Sequence, residues 1–354
     1  MQRQDDQQVL VLVPAHNEAD RIQGTLRALW SQTRRPDRVV VVADNCTDQT
    51  SRLARASGAE VFATHGNTDK KAGALNQALA VLLGTLTSTD QVLVVDADSQ
   101  LSPEFLAIAT ARLSSDPGIG AVGGIFLGEP GGGLLGALQR NEYARYQRQI
   151  ARRHDDALVL TGTATLHRVD VLQHLLVSRG EVYDRTALTE DNEITLAIKT
   201  VGLRCVSPRR CLVETEVMPT WTDLWNQRLR WQRGALENLM TYGLTRVTAP
   251  YVLQQVGMSL GVLAMWLYLA FTLHLALNGE LGLNPWWSPL ALVFLLERVV
   301  TVWHSGPRPR VLAAAFFLEW GYDMFLQVVM VRASLDVVLK RPARWHHVAS
   351  QHTT

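Results

Sequence analysis

Short β-branched apolar runs alternate with amphipathic stretches along the first part of the chain. VLVLV at Val9 to Val13, the run from Arg38 to Val42, and Val92 to Val95 each read as a strand covered on both faces. Helical periodicity fills the intervals, from about Ala19 to Trp30, Thr50 to Ser57 and Ala72 to Leu86. This alternation predicts an α/β domain with an open, mostly parallel sheet and right-handed crossovers. Ligands of such sheets bind beyond the carboxyl ends of the strands. Polar residues stand at those ends: His16, Asn17 and Glu18, then Asp44 and Asn45, then Asp96 and Asp98.

EPGGG at Glu129 to Gly133 reads as a loop. The helix after it carries Arg145, Arg148 and Arg152 at helical spacing, read as a solvated basic face, with a membrane-surface face as the alternative. Beyond Arg246 charge becomes scarce. Tyr251 to Leu277 is long enough to cross a bilayer, whereas Trp286 to Trp303 is shorter and contains Glu297 and Arg298. Val311 to Val331 places Glu319, Asp323 and Gln327 on one helical face. That face cannot meet lipid cheaply; it has to pack inward, line an aqueous path or lie at the interface.

Basic residues set the expected orientation. NGELGLNP has no Lys or Arg, while Arg308 and Arg310, then Lys340, Arg341 and Arg344, flank the third stretch. The positive-inside rule then predicts two spans, a cytoplasmic tail, and Val311 to Val331 as a re-entrant or interfacial helix. The expected organisation is a cytosolic α/β domain over 1–220, an amphipathic interfacial region over 221–250, transmembrane or membrane-associated helices over 251–339, and a basic cytoplasmic tail over 340–354.

The formal charge of +1 gives no global argument for nucleic acid as a partner. The polar start MQRQDDQQ has neither a basic nor an apolar segment, so no signal peptide is expected. Cys46, Cys205 and Cys211 show no metal-ligand spacing and read as ordinary residues of a reduced cytosolic protein.

Candidate chemistry gathers at the strand ends. VVDADS puts Asp96 and Asp98 beyond a buried strand, where alternate carboxylates can converge on Mg²⁺ or Mn²⁺ and so neutralise a diphosphate; the bland reading is turn-forming aspartates. Asp44 could accept hydrogen bonds from a nucleobase edge or could be a turn residue. Lys70 and Lys71 open a helix, a natural anion site, or form a solvated pair. Glu190 and Asp191 are either an ordinary capping pair or include a base that takes a proton from an acceptor hydroxyl. Gln227, Arg228, Arg230 and Trp231 share one amphipathic helix. It suits a membrane surface, and it also suits a diphosphate clamp with an indole stacked on a sugar.

VPAHNE, ADNCTD, KAGALN, DADS, TED and QRLRW, in this order from about Val9 to Trp231, resemble the processive branch of family 2 glycosyltransferases. Cellulose, hyaluronan, chitin and poly-N-acetylglucosamine synthases are of this type. The resemblance implies a GT-A fold (Rossmann-like, mostly parallel sheet) followed by C-terminal interfacial and transmembrane helices, with a UDP-sugar donor and Mg²⁺ or Mn²⁺. It implies that Asp44 contacts the base, with Pro14, His16 and Glu18 in the same pocket, and that Lys71 lies near the nucleotide. Asp96 and Asp98 match the metal and diphosphate motif, and Asp191 matches the general base, with Glu190 beside it. Gln227, Arg230 and Trp231, with the intervening Arg228, match the segment beside the diphosphate and acceptor sugar. Gly162 and Thr163 resemble the acceptor-contacting segment. Trp345 resembles the Trp of a cytoplasmic gating segment.

The sequence departs from the family pattern where Ala15-His16 replaces the common Thr-Tyr, in lacking a transmembrane pair before the catalytic region, and in a short C-terminal membrane region. One protomer is therefore not expected to form the channel of the large synthases. The expected enzyme is a multi-pass inner-membrane protein with its catalytic domain in the cytoplasm. It would transfer sugar with inversion to a glycan or lipid-linked acceptor, with self-association through the membrane helices allowed. The alternatives are transfer of one sugar to a lipid phosphate, glycolipid or protein, and a catalytically dead sugar-nucleotide-binding protein.

Overall fold

The computed structural model of the chain describes residues 7–280, 282 and 288–341. In chain order its elements are β1 (Val9–Ala15), α1 (Ile22–Trp30), β2 (Arg38–Ala43), α2 (Thr50–Ala56), β3 (Glu60–Ala63), α3 (Lys70–Leu82), β4 (Gln91–Val95), β5 (Gln100–Leu101), α4 (Phe105–Ser115), β6 (Ile119–Gly123), β7 (Ile125–Gly128), α5 (Gly133–Arg152), β8 (Ala164–Arg168), α6 (Val169–Arg179), α7 (Glu190–Thr200), β9 (Arg204–Val206), β10 (Leu212–Thr215), α8 (Trp221–Tyr242), α9 (Ala249–Leu277), α10 (Ser288–Thr301), α11 (Pro307–Ala314) and α12 (Phe316–Val338). They fall into two compact units, one of residues 1–132 and 146–218, the other of residues 133–145 and 219–354.

The first unit is built on a seven-stranded sheet in the order β3-β2-β1-β4-β8-β6-β9. The pairs β1–β2, β1–β4, β2–β3 and β6–β9 are parallel, and β8 runs antiparallel to both neighbours. Every residue of β1 and β4 is buried, as continuous apolar runs require when helices cover both faces. On α1, Ile22, Leu26 and Leu29 form the buried stripe at helical spacing. Phe105, Leu93 and Leu106 stand at the centre of the core. The mostly parallel α/β sheet is the one expected, but of its strands only β1, β2 and β4 were foreseen; β6, β8 and β9 were not, and β3 was not legible. EVFA is only half-buried at the sheet edge, so no apolar run marks it. A second sheet of three short strands, β5-β10-β7, was also not foreseen.

The second unit packs α8 against α12 through Trp221 and Trp225, whose ring centroids lie 5.0 and 5.8 Å from Phe325. Glu319 is 1% exposed. It accepts from Asn141 (2.6 Å), Arg145 (2.6 Å) and Arg298 (3.4 Å), and Arg298 also pairs with Asp323. The polar face of the third apolar stretch therefore packs inward at Glu319 and Asp323. Gln327 Oε1 is buried with no partner among the described residues.

One expectation changes here. Arg145 is not part of a solvated basic face, because the buried Glu319 carboxylate needs a counter-charge. Among the described residues the second apolar stretch gives the 14-residue α10, shorter than the roughly 20 residues that cross a bilayer. The third stretch is broken, α11 and α12 meeting at 78°, the shape of a broken span or a re-entrant element. Among the described residues α9 alone is one helix long and apolar enough to cross a membrane, with no part of its apolar window buried. Residues 281 and 283–285 of the NGELGLNP loop, Arg344 and Trp345 lie outside the described residues.

Leu93 is fully buried and Val177 is 86% exposed. Leu93→Ala is expected to cost about 2–5 kcal/mol of stability, and Val177→Ala less than about 0.5 kcal/mol, measured by chemical unfolding.

Candidate active site

The carboxyl ends of β1, β2 and β4 carry the polar residues that the sheet geometry called for. Pro14 is buried within β1, opposite Val42 of β2. After the strand, Asn17 takes φ 57° and its Oδ1 accepts from the Thr47 amide at 2.8 Å, pinning the two loops together. His16 donates from Nδ1 to the Asp44 carbonyl at 2.6 Å. The Asp44 carboxylate is almost buried, and its Oδ1 accepts from Asn45 Nδ2 (3.1 Å), Thr64 Oγ1 (2.8 Å) and Asn67 Nδ2 (2.9 Å).

A second cluster forms where α3, β4, α7 and the loop before β8 meet. Lys71 Nζ lies 2.6 Å from Asp96 Oδ1 and 2.9 Å from Glu190 Oε1, and donates to the Gly162 carbonyl at 3.2 Å. The Gly162 amide donates to Asp191 Oδ2 at 2.8 Å, while Asp191 Oδ1 accepts from the Asn192 amide at 2.7 Å. A Cβ on Gly162 would stand 3.1 Å from Asp191 Oδ2, so glycine permits this close approach. The Thr163 carbonyl accepts from the Asp96 amide at 3.0 Å. Asp96, Lys71, Glu190, Gly162, Thr163 and Asp191 are thus brought into one constellation. A small pocket beside it is lined by Lys71, Gly162, Thr165, His167, Tyr183, Glu190 and Asp191.

Lys71 was expected as an anion site, and it is already paired with two carboxylates. Burial lowers its pKa, but Asp96 and Glu190 more than offset that and hold it well above its ordinary value. The carboxylates respond in the opposite sense. Burial, then the adjacent Asp98, Asp96 and Glu216 carboxylates, push Glu18 up from 4.5 to about 7 against the pull of Arg21. Burial and Asp98 push Asp96 up to about 6 in spite of Lys71, and burial with Glu216 raises Asp98 while Ser99 opposes it.

Such crowding of acids suits a divalent cation. Among the described residues no group of three or more His, Cys, Asp and Glu side chains could hold a metal ion alone. Asp96 and Asp98 offer two carboxylates of the kind a hard cation takes as oxygen ligands.

Several neighbours had no sequence signal of their own. Arg21 bridges Glu129 (2.8 Å) and Glu216 (3.1 Å). Glu216 follows β10, so the rule that found Asp44 and Asp96 would have found it had that strand been recognised. His167 is buried on β8, neutral because burial lowers its pKa to about 3, and its Nδ1 has no partner among the described residues.

Gln227, Arg228, Arg230 and Trp231 lie on α8 in the second unit. Arg228, grouped in the sequence with the diphosphate side chains, is engaged by protein groups. It is 6% exposed, held by Glu142 at 2.9 and 3.2 Å, and stacked 4.3 Å from the Trp231 ring centroid. A guanidinium buried against its own carboxylate partner is a packing element. Burial lowers its pKa, but Glu142 outweighs this and keeps it raised.

The family described as "Glycosyltransferase like family 2" matches residues 6–234, more than half of the chain. The chain belongs to this family, and its first unit has the family's GT-A-like α/β fold with a mostly parallel sheet. It is 26% identical over 238 residues to a poly-beta-1,6-N-acetyl-D-glucosamine synthase of Staphylococcus aureus, a match covering 66% of this chain and 55% of the relative. It is 30% identical over 241 residues to the probable glycosyltransferase YdaM of Bacillus subtilis, covering 64% of this chain and 54% of the relative. The matches thus span about half the length of these relatives. The mannosyltransferase PcManGT of Pyrobaculum calidifontis, solved with GDP-Man and Mn²⁺, shares the fold at TM-score 0.58 and 20% identity, covering 95% of this chain and 88% of its own.

The raised carboxyl of Glu18 gives a pH signature. Between 4.5 and about 7 the folded state keeps a proton that the unfolded state loses, so this contribution to stability falls as pH rises through that window. Without divalent ions, thermal unfolding followed across that window should show a loss that Glu18→Gln flattens. Added Mn²⁺ should raise the midpoint more above the window than below it.

Proposed function

We propose that this chain is a membrane-bound, inverting hexosyltransferase that moves a sugar from a UDP-sugar to a glycan or lipid-linked acceptor, extending a polymer. The observation that carries this reading is the convergence of Asp96, Lys71, Glu190 and Asp191 beside Asp98 at the ends of the parallel strands. Asp44, with one carboxylate oxygen fixed by three donors, is assigned to the nucleobase, and His16 and Glu18 to the same end of the site. Asp96 and Asp98 would hold Mg²⁺ or Mn²⁺. When bound, that ion supplies charge neutralisation for the diphosphate leaving group.

Asp191 is assigned the proton of the acceptor hydroxyl. Its Oδ2 is oriented by the Gly162 amide, so the base is held in place before substrate arrives. Lys71 links Asp96 to the Gly162 carbonyl, and so ties the diphosphate end to the segment that holds the base. A single displacement with one base and no covalent sugar intermediate inverts the anomeric carbon. Gln227, Arg230 and Trp231 are assigned to the diphosphate and acceptor sugar on their match to Q-x-x-R-W, with Arg228 supporting them from within the second unit.

The apolar α9 supports a membrane anchor, and the broken α11–α12 pair supports a re-entrant or interfacial element. A cytoplasmic catalytic region follows from the need for a nucleotide-sugar. Incubation with labelled UDP-sugars tests the whole reading. Long products support polymer synthesis, single-sugar products move the assignment to one-step transfer, and no transfer from any UDP-sugar overturns it.

Asp191→Asn is expected to leave UDP binding nearly intact and to lower turnover by roughly 10²- to 10⁴-fold, since it removes only the proton acceptor. Near-normal turnover would exclude Asp191 as the base. Chelation of divalent ions, or Asp98→Ala, is expected to abolish transfer and weaken UDP binding together. Equal UDP affinity with and without Mn²⁺ in calorimetry would contradict the metal assignment.

A further inference from the structure

Asn67 lies between the two ends of the proposed site and is 8% exposed. Its Nδ2 donates both to Asp44 Oδ1 (2.9 Å) and to the Lys70 carbonyl (2.8 Å). Its Oδ1 accepts from the Asp69 amide at 3.1 Å, and its own carbonyl accepts from Asn45 Nδ2 at 2.9 Å. Both amide hydrogens are therefore engaged. One steadies the carboxylate assigned to the base, and the other steadies the backbone one residue before Lys71.

That backbone needs holding. Lys70 sits at φ 55°, in the left-handed region that a residue with a Cβ adopts only under constraint. The turn at Lys70 starts α3 and directs Lys71 to Asp96 and Glu190. Gly73 shows how closely the amide is seated. A Cβ there would stand 2.1 Å from Asn67 Oδ1 and 2.8 Å from Asp69 Cβ. The glycine of KAGALN is thus required by the approach of Asn67, and not by its own backbone angle.

We propose that Asn67 is a positioning residue that fixes the Asp44 carboxylate and the Lys71 turn with one side chain, coupling nucleobase recognition to the diphosphate end of the site. This rests on the assignment of Asp44 and Lys71 to a bound nucleoside diphosphate. Substituting Asn67 then disturbs ligand binding at both ends, including binding of a ligand that has no base.

The test is calorimetry on the full chain in detergent with Mn²⁺, titrating UDP, GDP, CDP, ADP and inorganic pyrophosphate separately. Asn67→Ala should weaken the preferred nucleotide by about 10- to 100-fold, the scale of a lost hydrogen bond to a charged group, and should weaken pyrophosphate as well. In an Asp44→Ala background the same substitution should cost no more for the nucleotide than it costs for pyrophosphate. Gly73→Ala, which keeps the amide but displaces it, should weaken both ligands too.

Unchanged pyrophosphate affinity in Asn67→Ala, or losses that add fully to those of Asp44→Ala, would overturn the coupling. Wild-type affinity of Gly73→Ala for both ligands would do the same. If one variant loses its cooperative thermal transition the other decides, and loss of folding in both would assign Asn67 to packing alone. A preferred nucleotide other than UDP would overturn the donor assignment but still test Asn67 with that nucleotide. Binding of none of the four would overturn both.

Discussion

The ion pairs of Lys71 with Asp96 and Glu190 are the constraint on which the candidate site depends. Three strand ends and the start of α7 deliver carboxylates to one cleft, where water is partly excluded and like charges repel. Burial first, and that repulsion after it, raise the carboxyls of Glu18, Asp96 and Asp98. Lys71 offsets part of it, and its bond to the Gly162 carbonyl extends the same contact to the segment that orients Asp191. A structural ion pair and a proposed catalytic arrangement are therefore the same object. The remaining excess of negative charge is what supports the proposed divalent cation.

The second unit obeys the same rule with different partners. Buried Glu319 is matched by Arg145 and Arg298, and buried Arg228 by Glu142, to which the Tyr322 hydroxyl also donates. Burying one member of such a pair without the other leaves an uncompensated charge, so these residues are bound to each other by electrostatic necessity. Arg145, which looks like a solvated group in the sequence, is thereby assigned to packing. Helix α9 is the reverse case, with none of its apolar window buried.

Much of this was legible in the residues. Fully buried parallel strands write themselves as unbroken apolar runs, so β1, β2 and β4 could be found and polar residues at their ends singled out. Periodicity likewise placed Glu319, Asp323 and Gln327 on one face and required that face to avoid lipid. The edge strand β3 and the three-stranded sheet left no such trace, because a short half-exposed strand has no run to show.

What the sequence by itself determined was therefore the α/β alternation, the identity of the strand-end acids and the ordered motifs of the family. Tertiary structure alone decided the partnerships: Lys71 with Asp96 and Glu190, Asn67 with Asp44 and Lys70, Gly73 beneath Asn67, and Arg228 with Glu142. Local pattern reports how each segment meets its own burial requirement. Charge pairing and close approach depend on distances between segments far apart in the chain, and those distances exist only once the sheet and helices have packed.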